Sequence, residues 1–302
     1  MAFLPPMLEA WRHRGACADI FGHQVFYLDV GPRGGMPLLL LHGFPTSSFD
    51  FHAVLDGLAA DRRVIVHDHI GFGLSQKPKE YSYSLFEQAD IALGLWRSLG
   101  ITGGHLLAHD YGTSIATELA ARQVRGLLPI TIDSMTLSNG SVRLELAHLR
   151  PAQRLLRRPW LGPCFARLLT AGRVRRALCR LWADPSRVDR QELDALWWGI
   201  RYREGHLRAP QVIRYLEERV RFHHRWLDAL GQLEIPVHIL WGRRDPVAVP
   251  AIAERLRADA RVASLTWIED AGHYPMLETP VAWRRAALGQ ITAFEAGAGV
   301  GS

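Results

Sequence analysis

Three side chains that could carry out covalent catalysis stand where predicted parallel strands end. Asp110 follows the apolar run at 105–108, while Asp245 and His273 each follow a further apolar run nearer the C-terminus. The carboxyl ends of parallel strands meet at one edge of a sheet, so these residues can converge despite their separation in sequence. A carboxylate, a second acid and a histidine in this order could form an ester with a reactant and then hydrolyse it.

Asp110 occupies the tip of a predicted strand–turn–helix unit and has small residues around it. Such a unit exposes a nucleophile, which is most often a serine. A carboxylate with an ordinary pKa near ~3.9 is already an anion at neutral pH, so it can attack a saturated carbon without a base. His273 is then free to activate water against the resulting ester. Asp245 would orient the imidazole and stabilise its charged form.

Hydrolysis of that ester creates an oxyanion on Asp110 itself, which needs preorganised hydrogen-bond donors. The backbone N–H of Tyr111 is one predicted donor, and the N–H of Phe44 in the HGFP motif is the other. Gly43 lets the two backbones approach closely, and Pro45 fixes the turn, with a cis Phe44–Pro45 bond as an option.

The elements that must position these residues alternate between short apolar strands and helices, which predicts a mostly parallel, doubly wound α/β sheet covered on both faces. The strands are expected at 22–31, 37–43, 63–69, 104–110, 127–135, 235–242 and 263–269, and the helices at 48–60, 84–99, 112–123, 250–258 and 281–295.

A middle segment, residues 143–230, lacks any strand pattern and is rich in arginine, leucine and tryptophan. We interpret it as an inserted helical cap (lid) on a core formed by residues 1–142 and 231–302. Within 143–226, 19 arginines stand against 8 acidic residues, an excess of 11. These arginines are scattered at helical spacing with no dense run, so nucleic-acid binding is not expected.

Several other classes of protein are disfavoured by composition. The longest apolar run, at 36–41, is far shorter than the ~18 residues of a membrane span, and the N-terminus lacks a signal-peptide pattern. The three cysteines have no disulfide or metal-ligand spacing, and no histidine cluster has metal spacing. We therefore expect a cytoplasmic protein without metal or cofactor, acting on a small apolar substrate and water, with a homodimer left open.

Five short motifs together resemble one known family. They are HGFP, GFGLSQKP at 71–78, HDYG, the Asp245 segment and GHYP. In combination the chain resembles the epoxide hydrolase and haloalkane dehalogenase group of α/β-hydrolases. HGFPTSSFDF, YSLFEQA, AHDYG and GIRYREGHL most resemble the mesoderm-specific transcript branch. The resemblance covers nearly the whole chain and implies an α/β-hydrolase fold with a helical cap and an aspartate nucleophile.

The resemblance also bears on the substrate. Epoxide hydrolases of this family use two cap tyrosines to hold and protonate the epoxide oxygen, which implies Tyr215 and Tyr202 here. Haloalkane dehalogenases bind halide through indole N–H groups, one of them directly after the nucleophile, where this chain has Tyr111; Phe44 holds the partner position. An epoxide hydrolase is therefore expected. A dehalogenase and a catalytically silent binding or signalling module are the alternatives.

Some residues that look catalytic have competing interpretations. Ser114 fits a loose G-x-S-x-small pattern, but it lies too far beyond the strand, so we expect a capping or solvent-facing serine. Asp133 is a second candidate for the orienting acid, because some relatives place the acid after that strand. His42 and His109 flank backbone turns and are expected to be structural, and Asp68 is expected to fix the loop that follows it.

Overall fold

The computed structural model describes residues 4–261 and 263–298. Its central feature is an eight-stranded sheet in the order β1-β2-β4-β3-β5-β6-β7-β8. The strands are β1 Ala16–Ile20, β2 His23–Val30, β3 Leu38–Leu41, β4 Val64–His67, β5 Gly103–His109, β6 Thr131–Ser138, β7 Val237–Gly242 and β8 Ala263–Ile268. Strands β1 and β2 are antiparallel to their neighbours and all other pairs are parallel, so the predicted α/β architecture is confirmed.

The inner strands are uniformly apolar because helices cover both faces of the sheet. Every residue of β3, β4, β5 and β7 is buried. The N-terminal half of the chain supplies helices α1 Pro6–Arg14, α2 Leu55–Leu58, α3 Leu85–Ser98 and α4 Tyr111–Val124, together with a 3-10 helix at Ser48–Phe51.

The predicted cap, residues 143–230, is described throughout and holds helices but no strand. These helices are α5 Pro151–Leu156, α6 Leu161–Arg167, α7 Ala171–Cys179, α8 Arg190–Arg201, α9 Ala209–Val212, α10 Tyr215–Arg221 and α11 His223–Gln232, with 3-10 turns at Leu144–Leu146, Pro185–Arg187 and Tyr202–Arg208. The chain then returns to the sheet and adds α12 Pro250–Asp259, α13 Pro275–Glu278 and α14 Pro280–Ala298.

The elements differ from the sequence prediction in three parts of the chain. The strand expected at 127–135 runs over Thr131–Ser138 instead, because Leu127 belongs to the turn after Gly126 and is 64% exposed. The helix expected at 48–60 is broken into a 3-10 helix and the four-residue α2. Helix α1 and strand β1 were not predicted from the sequence.

No helix within the described residues is both long and apolar enough to cross a membrane.

Candidate active site

Asp110 lies at the turn between β5 and α4, where it is 4% exposed. Its φ of 42° is a left-handed value that only a tightly held non-glycine residue adopts. The turn is held by the Gly112 N–H, which donates to the His42 carbonyl at 3.0 Å. A Cβ atom at Gly112 would lie only 2.6 Å from the Leu41 carbonyl oxygen, so a glycine is needed here. We call this strand–turn–helix unit, with Asp110 at its tip, the elbow.

His273 lies between the two predicted acids. Its Nδ1 is 2.7 Å from Asp245 Oδ2, and its Nε2 is 4.0 Å from Asp110 Oδ2. A carboxylate can only accept, so Nδ1 carries the proton and Nε2 faces the elbow. The fold therefore brings Asp110, Asp245 and His273 together, as the strand-end argument expected.

Asp245 is held in place by four donors. The backbone N–H groups of Val247 and Ala248 donate to its Oδ1 at 2.7 and 2.9 Å. Its Oδ2 accepts from His273 and from Asn139 Nδ2, the latter at 2.7 Å. Asn139 follows β6 directly, accepts from the Gly242 N–H at 3.1 Å and donates to the Gly272 carbonyl at 3.3 Å, so it links the end of β6 to the last residue of β7 and to the segment that follows β8. Sequence reasoning missed Asn139.

The electrostatics of His273 reflect two opposed causes. Burial lowers its pKa, but the charge of Asp245 and its hydrogen bond outweigh burial, and the charge of Asp110 adds to them. The net effect raises the pKa of His273 from 6.5 to about 9. In the resting protein at neutral pH, the imidazole is therefore a cation beside Asp110.

The predicted oxyanion donors flank Asp110. The Phe44 N–H donates to Asp110 Oδ2 at 3.0 Å, and the Phe44–Pro45 bond is cis. Tyr111 is the first residue of α4, so its N–H has no partner inside that helix. A Cβ atom at Gly43 would lie 3.0 Å from the Asp110 Cβ, which explains why the sequence needs glycine there.

Tyr215 lies over the elbow. Its ring centroid is 4.9 Å from that of Tyr111 and 5.9 Å from that of Phe44. The phenol is 1% exposed, and its hydroxyl has no hydrogen-bond partner among the described residues. Burial, together with the charge of Asp110, raises the pKa of Tyr215 well above its usual range, so it is a neutral donor at all ordinary pH values.

Tyr202, the other predicted cap tyrosine, is not brought to this site. Its ring lies against the Lys77 ammonium and the Arg203 guanidinium, each 5.4 Å from the ring centroid. It lines an open surface groove with Arg12 and Trp198. Tyr202 directly follows the last residue of α8, and the backbone breaks from helical geometry after it, with left-handed φ values of 47° at Arg203 and 61° at Glu204.

Arg219 is a second functional candidate that sequence reasoning missed. It is 1% exposed, and its guanidinium lies 4.5 Å from the Tyr215 ring centroid. Its Nε donates to Ser114 Oγ at 2.6 Å, and another nitrogen donates to Ser141 Oγ at 2.8 Å. Ser114 is therefore buried and engaged, which corrects the expectation of a capping or solvent-facing side chain.

Asp133 does not replace Asp245 as the orienting acid. Because β6 starts at Thr131 and ends at Ser138, Asp133 lies near the beginning of the strand, at the opposite edge of the sheet from the elbow. Sequence reasoning missed Asp50, which is a buried acid. It accepts from Thr46 Oγ at 2.7 Å, and burial raises the pKa of its carboxyl well above the usual value.

The histidines near the elbow hold backbone, as expected. His42 Nδ1 is 2.8 Å from the Gly43 carbonyl oxygen, and its Nε2 accepts from the His69 N–H at 3.0 Å. His109 Nε2 is 2.8 Å from the His273 carbonyl oxygen. Asp68 accepts from the N–H group of Leu74, which holds the loop that follows Asp68, and from the N–H group of Ser48.

A narrow cleft between the predicted cap and the rest of the chain borders Phe44, the residue whose N–H contacts Asp110. Phe44, Phe72, Ile200 and Val212 give it apolar walls, and His206 lies on its cap side. Within residues 4–261 and 263–298, no three His, Cys, Asp or Glu side chains form a group that could hold a metal ion.

Comparison with known proteins agrees with this architecture. Residues 36–280 match the family described as alpha/beta hydrolase fold. The chain is 40% identical over 283 residues to LipZ of Mycobacterium tuberculosis, covering 94% of this chain and 97% of that protein. It is 36% identical over 300 residues to the human mesoderm-specific transcript homolog protein, covering 96% of this chain and 90% of that protein.

Haloalkane dehalogenases are also similar. The haloalkane dehalogenase of Mycolicibacterium paratuberculosis is 26% identical over 283 residues, covering 88% of this chain and 89% of that one. The crystal structure of haloalkane dehalogenase DbeA from Bradyrhizobium elkani superposes with a TM-score of 0.79 at 25% sequence identity, covering 94% of this chain and 99% of that one. The resemblance predicted from the motifs is thereby confirmed.

Proposed function

The chain belongs to the α/β-hydrolase fold family and is a hydrolase, and we propose that it opens an apolar epoxide to a vicinal diol through an ester on Asp110. The observation that carries this proposal is a carboxylate at the elbow tip, with a histidine–carboxylate pair facing it. A serine enzyme would need a hydroxyl at that position, and the nearby Ser114 is occupied by Arg219.

In the first step, an Asp110 oxygen attacks an epoxide carbon, and the carbon–oxygen bond of the ring breaks. The developing alkoxide takes the proton of a neutral acid, and the acid we propose is Tyr215, whose buried hydroxyl has no partner among the described residues. Arg219 lies over the Tyr215 ring and lowers the pKa of the phenol, against the larger effect of burial. Arg219 thus assists proton release without touching the substrate.

Ester formation removes the negative charge of Asp110, which is one of the causes that raise the pKa of His273. The imidazolium then gives up its proton more readily, and that proton can restore the Tyr215 phenol. In the second step, neutral His273 takes a proton from water, which attacks the ester carbonyl carbon. The oxyanion that forms is held by the N–H groups of Phe44 and Tyr111. Its collapse breaks the bond between the carbonyl carbon and the ester oxygen, and the departing alkoxide takes the proton held by His273 and leaves as the diol.

An epoxide is favoured over a halide by the donors around the elbow. Phe44 has no polar side-chain group, and Tyr111 is a phenol whose burial raises its pKa well above the usual range. Neither offers the indole N–H that stabilises a departing halide. Tyr215 offers an acidic hydrogen instead, which an alkoxide needs and a halide does not.

Haloalkane dehalogenation is the second candidate. The chain is similar to haloalkane dehalogenases over most of its length. The indole N–H of Trp182 is buried without a partner among the described residues, so one halide donor is available. Its ring stacks on Tyr274, which in turn meets His273 edge-on.

Parallel assays of diol formation, halide release and ester cleavage test the proposal. Styrene-type epoxides should yield diol with the wild-type protein and none with Asp110→Ala. Halide release from haloalkanes that exceeds diol formation would transfer the assignment to the dehalogenase. Ester cleavage that survives Asp110→Ala would point to a serine nucleophile. Silence in all three assays, with folded protein, would favour a binding or signalling module.

Three further expectations stay predictions. They are the division into a core of residues 1–142 and 231–302 with a cap of 143–230, a cytoplasmic location, and an oligomeric state in which a homodimer is left open.

A further inference from the structure

One stretch of the cap, residues 146–183, contains nine arginines and no aspartate or glutamate. Arg175 pairs with Asp194 at 2.5 Å, whereas the other eight have no ion pair with any residue that the structure describes. A cluster of cations that the protein itself leaves unneutralised raises a strong positive potential on this side of the molecule. Its complement is a surface that carries many negative charges.

The same stretch exposes large apolar side chains. Trp160 is 89% exposed, Leu161 56% and Leu168 60%. Leu161 is the first residue of α6, and Trp160 and Leu168 flank the helix; Leu161 and Leu168 are seven residues apart, a spacing that brings them to the same side. The opposite face of α6 buries Gly162 and Ala166. A small helix that turns leucines and a tryptophan outward has an apolar face that nothing in the described chain covers.

Helix α7 adds charge to the apolar corner. It buries Val174 and Leu178 on one side and exposes Arg173 and Arg176 on the other, with Arg180 exposed just beyond its end. On the other flank, Arg154 and Arg158 are exposed before Trp160. An apolar tip surrounded by arginines is the pattern of a surface that lies in a membrane interface.

We infer that Trp160, Leu161, Leu168 and the exposed arginines of α5–α7, together the docking face, bind the surface of an anionic lipid bilayer. Arginines attract the headgroups, and each basic residue near such a surface contributes about a fivefold gain in binding, equivalent to about 1 kcal/mol. The indole and the two leucines then enter the headgroup layer. A nucleic acid would use the arginines but would leave Leu161 and Leu168 in water, so the bilayer accounts for more of what is exposed.

The docking face lies near elements that line the cleft beside Phe44. Helix α6 packs against the 202–208 turn and against α9, and both of these line the cleft that leads to Phe44. A bilayer bound at α6 would therefore lie beside the mouth of the cleft. An apolar substrate dissolved in lipid could reach Asp110 by a short path.

Vesicle flotation tests this inference without relying on turnover. The wild-type protein should float with vesicles of equal parts phosphatidylcholine and phosphatidylglycerol, and it should stay behind with phosphatidylcholine alone. Trp160→Ala is expected to weaken binding at least about tenfold, because binding scales with the apolar area inserted. Combined Arg158→Gln and Arg167→Gln should weaken it about 25-fold, the product of two fivefold losses.

Matched control variants alter exposed residues outside the predicted cap. Leu127→Ala removes an apolar side chain that is 64% exposed, and Arg97→Gln with Arg125→Gln removes two exposed cations. These variants should float like the wild type. The inference is overturned if wild-type protein ignores anionic vesicles, if core and cap variants lose binding equally, or if the protein binds duplex DNA and not the vesicles.

A second arm rests on the proposed function. Anionic vesicles should accelerate hydrolysis of a long-chain, lipid-dissolved epoxide by the wild type and not by Trp160→Ala, while both hydrolyse a water-soluble epoxide equally. Flotation without hydrolysis of either epoxide would uphold the docking face and count against the epoxide assignment. Hydrolysis without flotation would do the reverse.

Discussion

Asp245→Asn is predicted to block the second chemical step and spare the first. The carboxylate Oδ1 accepts two backbone N–H groups, so an amide oxygen must take that position in the variant. The amide nitrogen then takes the position of Oδ2, where it faces Asn139 Nδ2 and His273 Nδ1. Because the amide nitrogen is a donor, His273 Nδ1 has to accept its hydrogen bond. The imidazole proton moves to Nε2, the nitrogen that must remove a proton from water, so His273 loses its function as base.

The magnitude follows from the pKa of His273. Raising that pKa from 6.5 to about 9 corresponds to about 3 kcal/mol in favour of the imidazolium. Asp110, whose charge is absent in the ester, supplies part of the net shift, but Asp245 must also offset the burial that lowers the pKa, so its own contribution is at least about 2 kcal/mol. Its loss should slow ester hydrolysis by about 30-fold or more. Ester formation needs no base and should change little.

Single-turnover quench experiments with mass spectrometry of the Asp110 peptide measure the two steps separately. In Asp245→Asn, the alkylated peptide should form at the wild-type rate and then persist. Asp259→Asn, which alters an acid paired with Arg143 at the end of α12, serves as the control and should form and hydrolyse the adduct at the wild-type rates. A parallel fall in both steps, or slow turnover without any adduct, would refute the assignment of roles.

Other perturbations give independent tests. Tyr215→Phe should slow alkylation of Asp110, whereas Tyr202→Phe should leave it unchanged, as measured by the same quench experiment. For stability, the raised pKa of His273 contributes about 3 kcal/mol that is fully present below pH 6.5 and lost as pH rises through about 9. In urea titrations, the excess stability of the wild type over His273→Gln should therefore shrink across that window; a constant difference would contradict it. Glu118→Gln should cost about 3 kcal/mol, because the buried carboxylate accepts from Arg122 of its own helix and from Arg225 and Trp226 of α11. Glu217→Gln, on the cap surface, should cost almost nothing in the same titration.

The triad could be predicted from sequence because its geometry follows from local patterns. Asp110, Asp245 and His273 each lie just beyond the end of a predicted strand, and a parallel sheet brings such ends to one edge. The HGFP motif likewise predicted Phe44 beside Asp110, because glycine and proline constrain the backbone wherever they occur. These inferences need only strand order and turn chemistry.

The remaining site residues depend on tertiary packing that no local pattern encodes. Asn139 could not be found because the end of β6 was misplaced: apolar Leu127 looked like the beginning of a strand. Arg219 was one of many arginines in the cap, and only the fold buries it against Ser114. A motif-based analogy failed for Tyr202 because a helix end decides which way that residue faces.

The covalent role of Asp110 is tested most directly by one turnover in heavy-oxygen water, with enzyme in excess over a styrene-type epoxide. Water should attack the ester carbonyl, so the label should appear in the Asp110 side chain and not in the diol. Label that enters the diol directly, with the Asp110 peptide unlabelled, would contradict the account.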